Sequence, residues 1–251
     1  MYNELVTVII PCYNAGKYIK ETIASVLKQT YQSWELLAVD DYSTDDTADI
    51  IRKLGKGDAR IRLLSTSKNT GSPAEPRNIG LREARGEFVA FLDADDIWYE
   101  TKLDDQVELM NQNNYAITYC NGNMIDESGN ILRCMKKATW VDYRRTLKRN
   151  ELSCSSVMMR KEIIGDLKFL NIPKEDFVFW LQLMRTTGLR AYNTNKTHYA
   201  YRLVTNSRSR NKKSIIKQQW NVLRKVEGLS LIDASYCFLC WALRNIRKYY
   251  M

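Results

Sequence analysis

Residues 6–11, VTVIIP, are almost continuously apolar and β-branched, the pattern of a short strand buried on both faces of a parallel sheet. The period then changes: over residues 17–29, Ile19, Ile23, Val26 and Leu27 fall on one helical stripe. WELLAV at 34–39 is a second buried strand, closed by Asp40 and Asp41, and residues 44–54 read as a helix. A third strand at 61–64, a helix at 78–84 and the strand FVAFL at 88–92 complete four rounds of alternation. Short links between such elements argue for an α/β fold with a mainly parallel sheet covered by helices, which binds ligands at the carboxyl ends of its strands.

Beyond residue 115 the alternation weakens. YAITYCN at 115–121 and residues 131–135 read as strands about the turn signal ESGN, residues 176–186 as an apolar helix, and 200–204 as a returning strand. The segment from Ser214 is helical, and no repeat or linker interrupts the chain. The pattern therefore predicts one domain over 1–213, regular in its alternation to about 112 and weaker over about 113–213, followed by a helical tail at 214–251.

A length of 251 residues with 45% hydrophobic and 27% charged positions excludes a disordered or collagenous chain. Net charge changes the picture more. The total of +9 divides at Leu132 into 13 basic and 21 acidic residues before it and 25 and 8 after it, that is −8 and +17. Nucleic-acid coats usually spread positive charge along one surface, whereas an acidic half followed by a basic one suits a cation site facing a phosphate or a membrane. Six scattered cysteines show no disulfide framework, and Cys237-x-x-Cys240 sits in an apolar run in a protein with one histidine. The N-terminus lacks a basic leader region and no stretch of about 18 apolar residues occurs, which predicts a cytoplasmic chain.

Candidate chemistry concentrates at strand ends. In FLDADDIW, Asp93, Asp95 and Asp96 crowd where a buried strand closes. Three carboxylates so close repel one another unless a hard divalent ion sits among them; the bland reading is a solvated acidic turn or helix cap. Asp40 and Asp41 end a neighbouring strand, and Pro11, Tyr13 and Asn14 end the first, so polar groups meet at one sheet edge; one aspartate can cap the following helix while the other meets a ligand. No glycine-rich phosphate loop is present.

The stretch from VTVIIPCYNAGKYI through AVDDYSTDDT, followed by RNIGLREARGEFVAFLDADDIW, resembles glycosyltransferase family 2, the inverting GT-A type enzymes, from about residue 5 to 110. KEDFVFWLQL, YRLVTNSRSRNK and the VEGLSL tail extend the likeness toward bacterial transferases of teichuronic acid, O-antigen and capsule assembly. The resemblance implies a Rossmann-like three-layer GT-A fold and a hexosyltransferase that uses a UDP-sugar. It implies that Asp41 binds uracil, that Pro11, Tyr13 and Asn14 line the base and ribose pocket, and that Arg77 approaches the diphosphate or sugar. Within Asp93-Ala94-Asp95, Asp93 would hold the ribose, and Asp95, with Asp93 as a second candidate, a Mn²⁺ or Mg²⁺ ion; Asp96 would face the transferred sugar. Asp176 falls where the family's general base sits, with Glu175 as the fallback. Residues read on their own make Glu175 and Asp176 first-turn acids favoured by a helix dipole.

Two features depart from the family's pattern. Leu203 and Val204 stand where members often carry a metal-binding histidine after the Tyr-Arg pair, and the lone His198 reads as structural. The loop NTGSPAEPRN is one residue longer than the family's usual loop and bears Pro73 and Pro76. Among the basic residues, Arg202 and Lys212 would close over the donor diphosphate, while Arg208, Arg210 and Lys213 meet a lipid diphosphate or remain a solvated face. In the tail, Tyr236, Leu239, Trp241, Leu243, Ile246 and Tyr250 interleave with Arg244, Arg247 and Lys248, suiting either the inner membrane leaflet or packing on protein. The implied partners are a UDP-sugar, a glycan or undecaprenyl-diphosphate-linked acceptor, and an anionic membrane surface, with no nucleic acid; the implied location is peripheral, on the cytoplasmic face of the inner membrane. The rivals are a sugar nucleotidyltransferase, for which the glycine-rich basic loop is missing, and a non-catalytic basic protein on membrane or nucleic acid.

Overall fold

A computed structural model describes residues 2–204 and 212–250, without the side chains of 212, 213 and 245–250. Arg208 and Arg210 therefore lie outside the described residues, as do the side chains of Lys212, Lys213, Ile246, Arg247, Lys248 and Tyr250.

The N-terminal half alternates β1 (Val6–Cys12), α1 (Ile19–Leu27), β2 (Trp34–Asp40), α2 (Thr47–Gly57), β3 (Ile61–Ser65), α3 (Ala74–Glu83) and β4 (Phe88–Phe91). Then follow β5 (Ile97–Trp98), α4 (Lys102–Asn113), β6 (Ile117–Ile125), β7 (Ile131–Met135), β8 (Trp140–Val141), α5 (Tyr143–Lys148), β9 (Met158–Arg160), α6 (Glu175–Thr187) and β10 (Ala191–Arg202). The tail contains α7 (Lys212–Asn221), a π-helical turn at Val222–Val226 and α8 (Leu231–Tyr250). Helix α3 begins four residues before the pattern predicts. Pro76 lies in its first turn, where a missing N–H leaves no hydrogen bond unmade.

The sheet runs β3-β2-β1-β4-β9-β6-β10-β5. Its ladder is parallel through β3, β2, β1 and β4 and again between β6 and β10, but three-residue β9 enters antiparallel between β4 and β6, making the sheet mixed. So short a strand carries no readable period. Alternate β1 residues face opposite layers. Val8 and Ile10 pack with Ile19 and Ile23 of α1 and with Leu103 of α4, whereas Ile9 packs with Phe179 and Trp180 of α6. A third cluster joins Phe177, Val178 and Leu181 of α6 to Leu147, Val222, Leu223, Ala234 and Cys237, so the tail is fastened to α6 by apolar burial of about 1.5–3 kcal/mol per large side chain.

One glycine shapes the route to the site. A Cβ on Gly122 of β6 would lie 2.3 Å from the Tyr199 ring, so only glycine lets that ring lie across the strand. The Tyr199 hydroxyl then meets Ser153 Oγ at 2.7 Å, at the start of the turn that carries Ser155.

Candidate functional site

Four parallel strands end on one edge and bring the predicted polar residues together. Pro11, Cys12, Tyr13, Asp41, Asn69, Gly71, Ser72, Pro73 and Pro76 line a cavity of about 170 Å³. Tyr13 stands half exposed at its rim, and Asn14, in the left-handed region at φ 47°, fastens the β1 end to the loop after β2 by accepting from the Thr44 N–H at 2.9 Å. The two adjacent aspartates divide their work. Asp40 accepts from the backbone N–H of Ser43 at 3.2 Å and so shapes the turn, whereas Asp41 faces the pocket. Asp41 is buried, and its carboxylate accepts from the hydroxyls of Thr66 (3.0 Å) and Thr70 (2.9 Å) and from the Thr70 N–H (3.1 Å). The long loop with its two prolines thus builds one wall of this pocket.

Beyond β4 the aspartate turn is held from below. Ser155, fully buried, accepts from the Asp93 N–H at 3.1 Å and donates to Asp96 Oδ2 at 2.5 Å, and its carbonyl accepts from the Trp98 indole at 2.8 Å. Arg202 lies under the same turn. Its backbone N–H donates to Asp96 Oδ1 (3.0 Å) and its guanidinium to the carbonyls of Asp95 (2.9 Å) and Glu127 (3.0 Å) and to Glu21 Oε2 (2.7 Å). With 2% of its surface exposed, Arg202 braces the aspartate turn through these contacts. Asp96 is equally buried, and burial followed by its neighbours Asp95 and Asp93 pushes its pKa well up. A buried, hydrogen-bonded Asp96 is placed to fix the turn; Ala94 contributes its carbonyl, which accepts from Thr22.

Arg77 occupies the centre. It is 3% exposed, and its two terminal nitrogens reach Asp93 Oδ1 at 2.7 Å and Glu175 Oε1 at 3.0 Å. One guanidinium therefore spans from the aspartate turn to the first turn of α6, a distance of 98 residues in sequence from Arg77 to Glu175. Glu175 is engaged by this contact. Asp176 next to it accepts, among the described residues, from its neighbouring Phe177 N–H at 2.7 Å, and enclosure by protein, followed by the charge of Glu175, pushes its pKa up to about 6. Lys174, just before the helix, takes a left-handed backbone at φ 61°.

A divalent ion finds a partial set of donors. Asp95 is pushed up to about 6 by burial and by Asp93, the state of a carboxylate that a cation would relieve. Asp93 is paired with Arg77 and Asp96 is tied from both sides, which leaves Asp95 as the carboxylate suited to a hard ion. Among the described residues, no group of three or more His, Cys, Asp or Glu forms a ready cage. Mg²⁺ and Mn²⁺ keep waters and take substrate phosphates with one or two carboxylates, and Asp95 would be such a carboxylate. His198 is no part of it: buried on β10, it lies 3.2 Å from Asp105, and burial pushes its pKa down to about 4.

Thr66, Thr70 and Ser155 escape a reading by motif, since hydroxyl residues are common and these act by contacts 25–62 residues away. The only local signal is that Thr70 stands in the long loop.

The family model described as "Glycosyl transferase family 2" matches residues 7–165. TuaG of Bacillus subtilis, named for teichuronic acid biosynthesis, is 37% identical over 249 residues, 98% of each chain. WfgD of Escherichia coli, named as a UDP-Glc:alpha-D-GlcNAc-diphosphoundecaprenol beta-1,3-glucosyltransferase, is 37% identical over 223 residues, 89% of this chain and 87% of its own. Among solved structures, S. aureus TarS 1-349 in complex with UDP-GlcNAc superposes with a TM-score of 0.73 at 22% identity, over 94% of this chain and 71% of that one. The mannosyltransferase PcManGT from Pyrobaculum calidifontis, in complex with GDP-Man and Mn²⁺, superposes at 0.68 and 19%, over 96% and 69%. At these identities the likeness to the two structures is one of fold, the GT-A arrangement.

Proposed function

This chain belongs to glycosyl transferase family 2 and is a glycosyltransferase, and we propose that it moves a hexose from a UDP-sugar to a hydroxyl of a diphosphoundecaprenol-linked saccharide in surface polysaccharide assembly. The observation that carries this reading is the Arg77 bridge, which ties the donor-side Asp93 to the acid pair at the start of α6.

In the proposed arrangement uracil enters the pocket beside Asp41, with Pro11, Tyr13 and Asn14 around base and ribose, and Asp93 takes a ribose hydroxyl. The two threonines that already bond Asp41 keep its carboxylate oriented toward that pocket. Asp95 would hold the divalent ion, which when bound neutralises charge on the departing diphosphate. Asp176 accepts the proton of the acceptor hydroxyl. As that oxygen forms its bond to the anomeric carbon from the face opposite UDP, the bond to the diphosphate oxygen breaks and its electron pair leaves with UDP. The sugar's anomeric configuration inverts. Arg77 keeps Glu175 engaged, so that of the two adjacent acids Asp176 is the one left to take a proton. The nucleotide half is proposed to span about 1–112, the acceptor half 113–213, and the tail 214–251. Among the described residues no helix is long and apolar enough to cross a membrane. A chain with a strongly basic second half would work as a peripheral protein at the cytoplasmic membrane face, where a lipid-linked acceptor is met.

Thermal denaturation with Mn²⁺ and a panel of UDP- and GDP-sugars tests the donor assignment. UDP at a hundred times its Kd is expected to stabilise the protein by about 2.7 kcal/mol, a rise in Tm of several degrees. Asp95→Ala should remove the part that depends on Mn²⁺. An unmoved Tm with every UDP compound in the presence of Mn²⁺ would overturn the assignment.

A further inference from the structure

Helix α8 presents two unlike faces. Inward, Ala234 and Cys237 are buried, and Phe238 packs edge-on against Trp220, its ring centroid 5.6 Å away, within the cluster built on α6. Outward, Ile232 is 83% exposed, Tyr236 57%, Leu239 59% and Leu243 63%. Steps of four, three and four place these residues on one continuous stripe. Single exposed apolar residues need no explanation, but a stripe of four along one helix marks a contact surface.

The flanks of the stripe carry positive charge. Lys148 of α5 lies with Nζ 4.8 Å from the centre of the Tyr236 ring, Arg144 on the same short helix is exposed, and Arg244 follows Leu243 exposed at the stripe's end. Helix α8 holds three basic residues and one acid, Asp233, which is engaged with Ser230 Oγ at 2.6 Å at the helix start. A second copy of the chain docked through the same stripe would bring two patches flanked by Lys148 and Arg244 together, because a two-fold interface uses the same patch on both sides. Anionic headgroups would instead meet those cations while acyl chains receive the isoleucine, leucine and tyrosine side chains.

We propose that the outer face of α8, centred on Ile232, Tyr236, Leu239 and Leu243 with Lys148 and Arg244 beside it, is the surface by which the protein lies on an anionic phospholipid bilayer. The helix lies in the plane of the interface and does not cross it. Its inner face is packed on α6, the helix whose first turn carries Asp176, and Lys174 just ahead of that turn reaches both Gln219 of α7 and the Trp241 ring of α8, at 5.0 Å from the ring centre. Bilayer and proposed base are thus separated by one helix layer. Binding itself stands on the stripe and its cations; its use in presenting a lipid-linked acceptor rests on the proposed function.

Flotation of the full chain with vesicles of 30% phosphatidylglycerol in phosphatidylcholine, beside pure phosphatidylcholine vesicles, tests the proposal. The chain is expected to float with the anionic vesicles at low salt and to be released at high salt. Ile232→Glu with Leu239→Glu should lower the partition coefficient tenfold or more, and Leu239→Ser with Leu243→Ser should do so by a smaller factor if the glutamates disturb folding. Melting of the same samples with UDP and Mn²⁺ reports donor binding independently, so loss of that response counts against the proposed function and not against the membrane face. Wild-type binding that ignores phosphatidylglycerol, or variants that float like the wild type, would overturn the proposal. So would a wild-type dimer in sedimentation velocity that these substitutions turn into monomer, since the stripe would then be a self-interface.

Discussion

Asp176→Asn leaves the Kd for the donor within about twofold and lowers kcat by about 10²–10⁴, the share a positioned general base contributes. The wild-type group, with its pKa pushed up to about 6, must be ionised to accept a proton, so kcat/KM is expected to fall tenfold per pH unit below about 6 and to level off above it. Stability runs the opposite way. A carboxyl whose pKa is raised in the folded state binds more protons there than in the unfolded chain, so its ionisation costs stability above that range, and the cost is relieved as pH falls from about 6 toward 4. Asp176→Asn should therefore melt a few degrees higher than wild type at pH 8, with the gain gone near pH 4. Glu175→Gln, which removes an acid already engaged by Arg77, should lower kcat less than Asp176→Asn does. The reverse order, measured in single-turnover assays, would move the role of base to Glu175.

Arg77→Met is expected to destabilise the protein by about 3–5 kcal/mol, because it strands Asp93 and Glu175 in a site already crowded with Asp95, Asp96 and Asp176. Urea midpoints give the value directly. Donor binding should weaken with it, since Asp93 loses the partner that holds it. Arg77→Lys keeps the charge but replaces a planar fork with a point charge, and one ammonium cannot reproduce two contacts at 2.7 and 3.0 Å on different elements. Its loss should fall between wild type and Arg77→Met. A change below about 1 kcal/mol in Arg77→Met would mean the bridge contributes no more than a solvated surface pair does.

Periodicity made the N-terminal half readable, because β1 and β2 are apolar on nearly every position and α1 keeps its apolar residues on one stripe. Helix α4 broke that logic. Its buried face contains Lys102 and Gln106 beside Leu103, Val107 and Met110; Lys102 is satisfied by Gln106 Oε1 at 2.5 Å and by the Trp98 ring, so two polar residues sit where a pattern demands apolar ones. β10 showed only its end: the left-handed Asn195 and two register shifts against β6 hide the period of its first half. In the site, the aspartates are legible because they cluster in sequence. Arg77's link to Glu175 and the support from Ser155 are not, since each is made by folding across 98 and 62 residues. The match to family motifs located Arg202, but its hold on the aspartate turn is visible only in the folded chain.

The measurement closest to the central claim is the configuration of the new glycosidic bond. The protein is incubated with Mn²⁺, an α-linked UDP-sugar from those that raise its Tm, and a diphosphoundecaprenol-linked saccharide, and the first product is examined by the anomeric proton coupling in NMR. An Asp176 base acting opposite the departing UDP predicts a β-linked product from the first turnover, formed about 10²–10⁴ times more slowly with Asp176→Asn. An α-linked product, or the same β-linked product at an undiminished rate from Asp176→Asn, would contradict it.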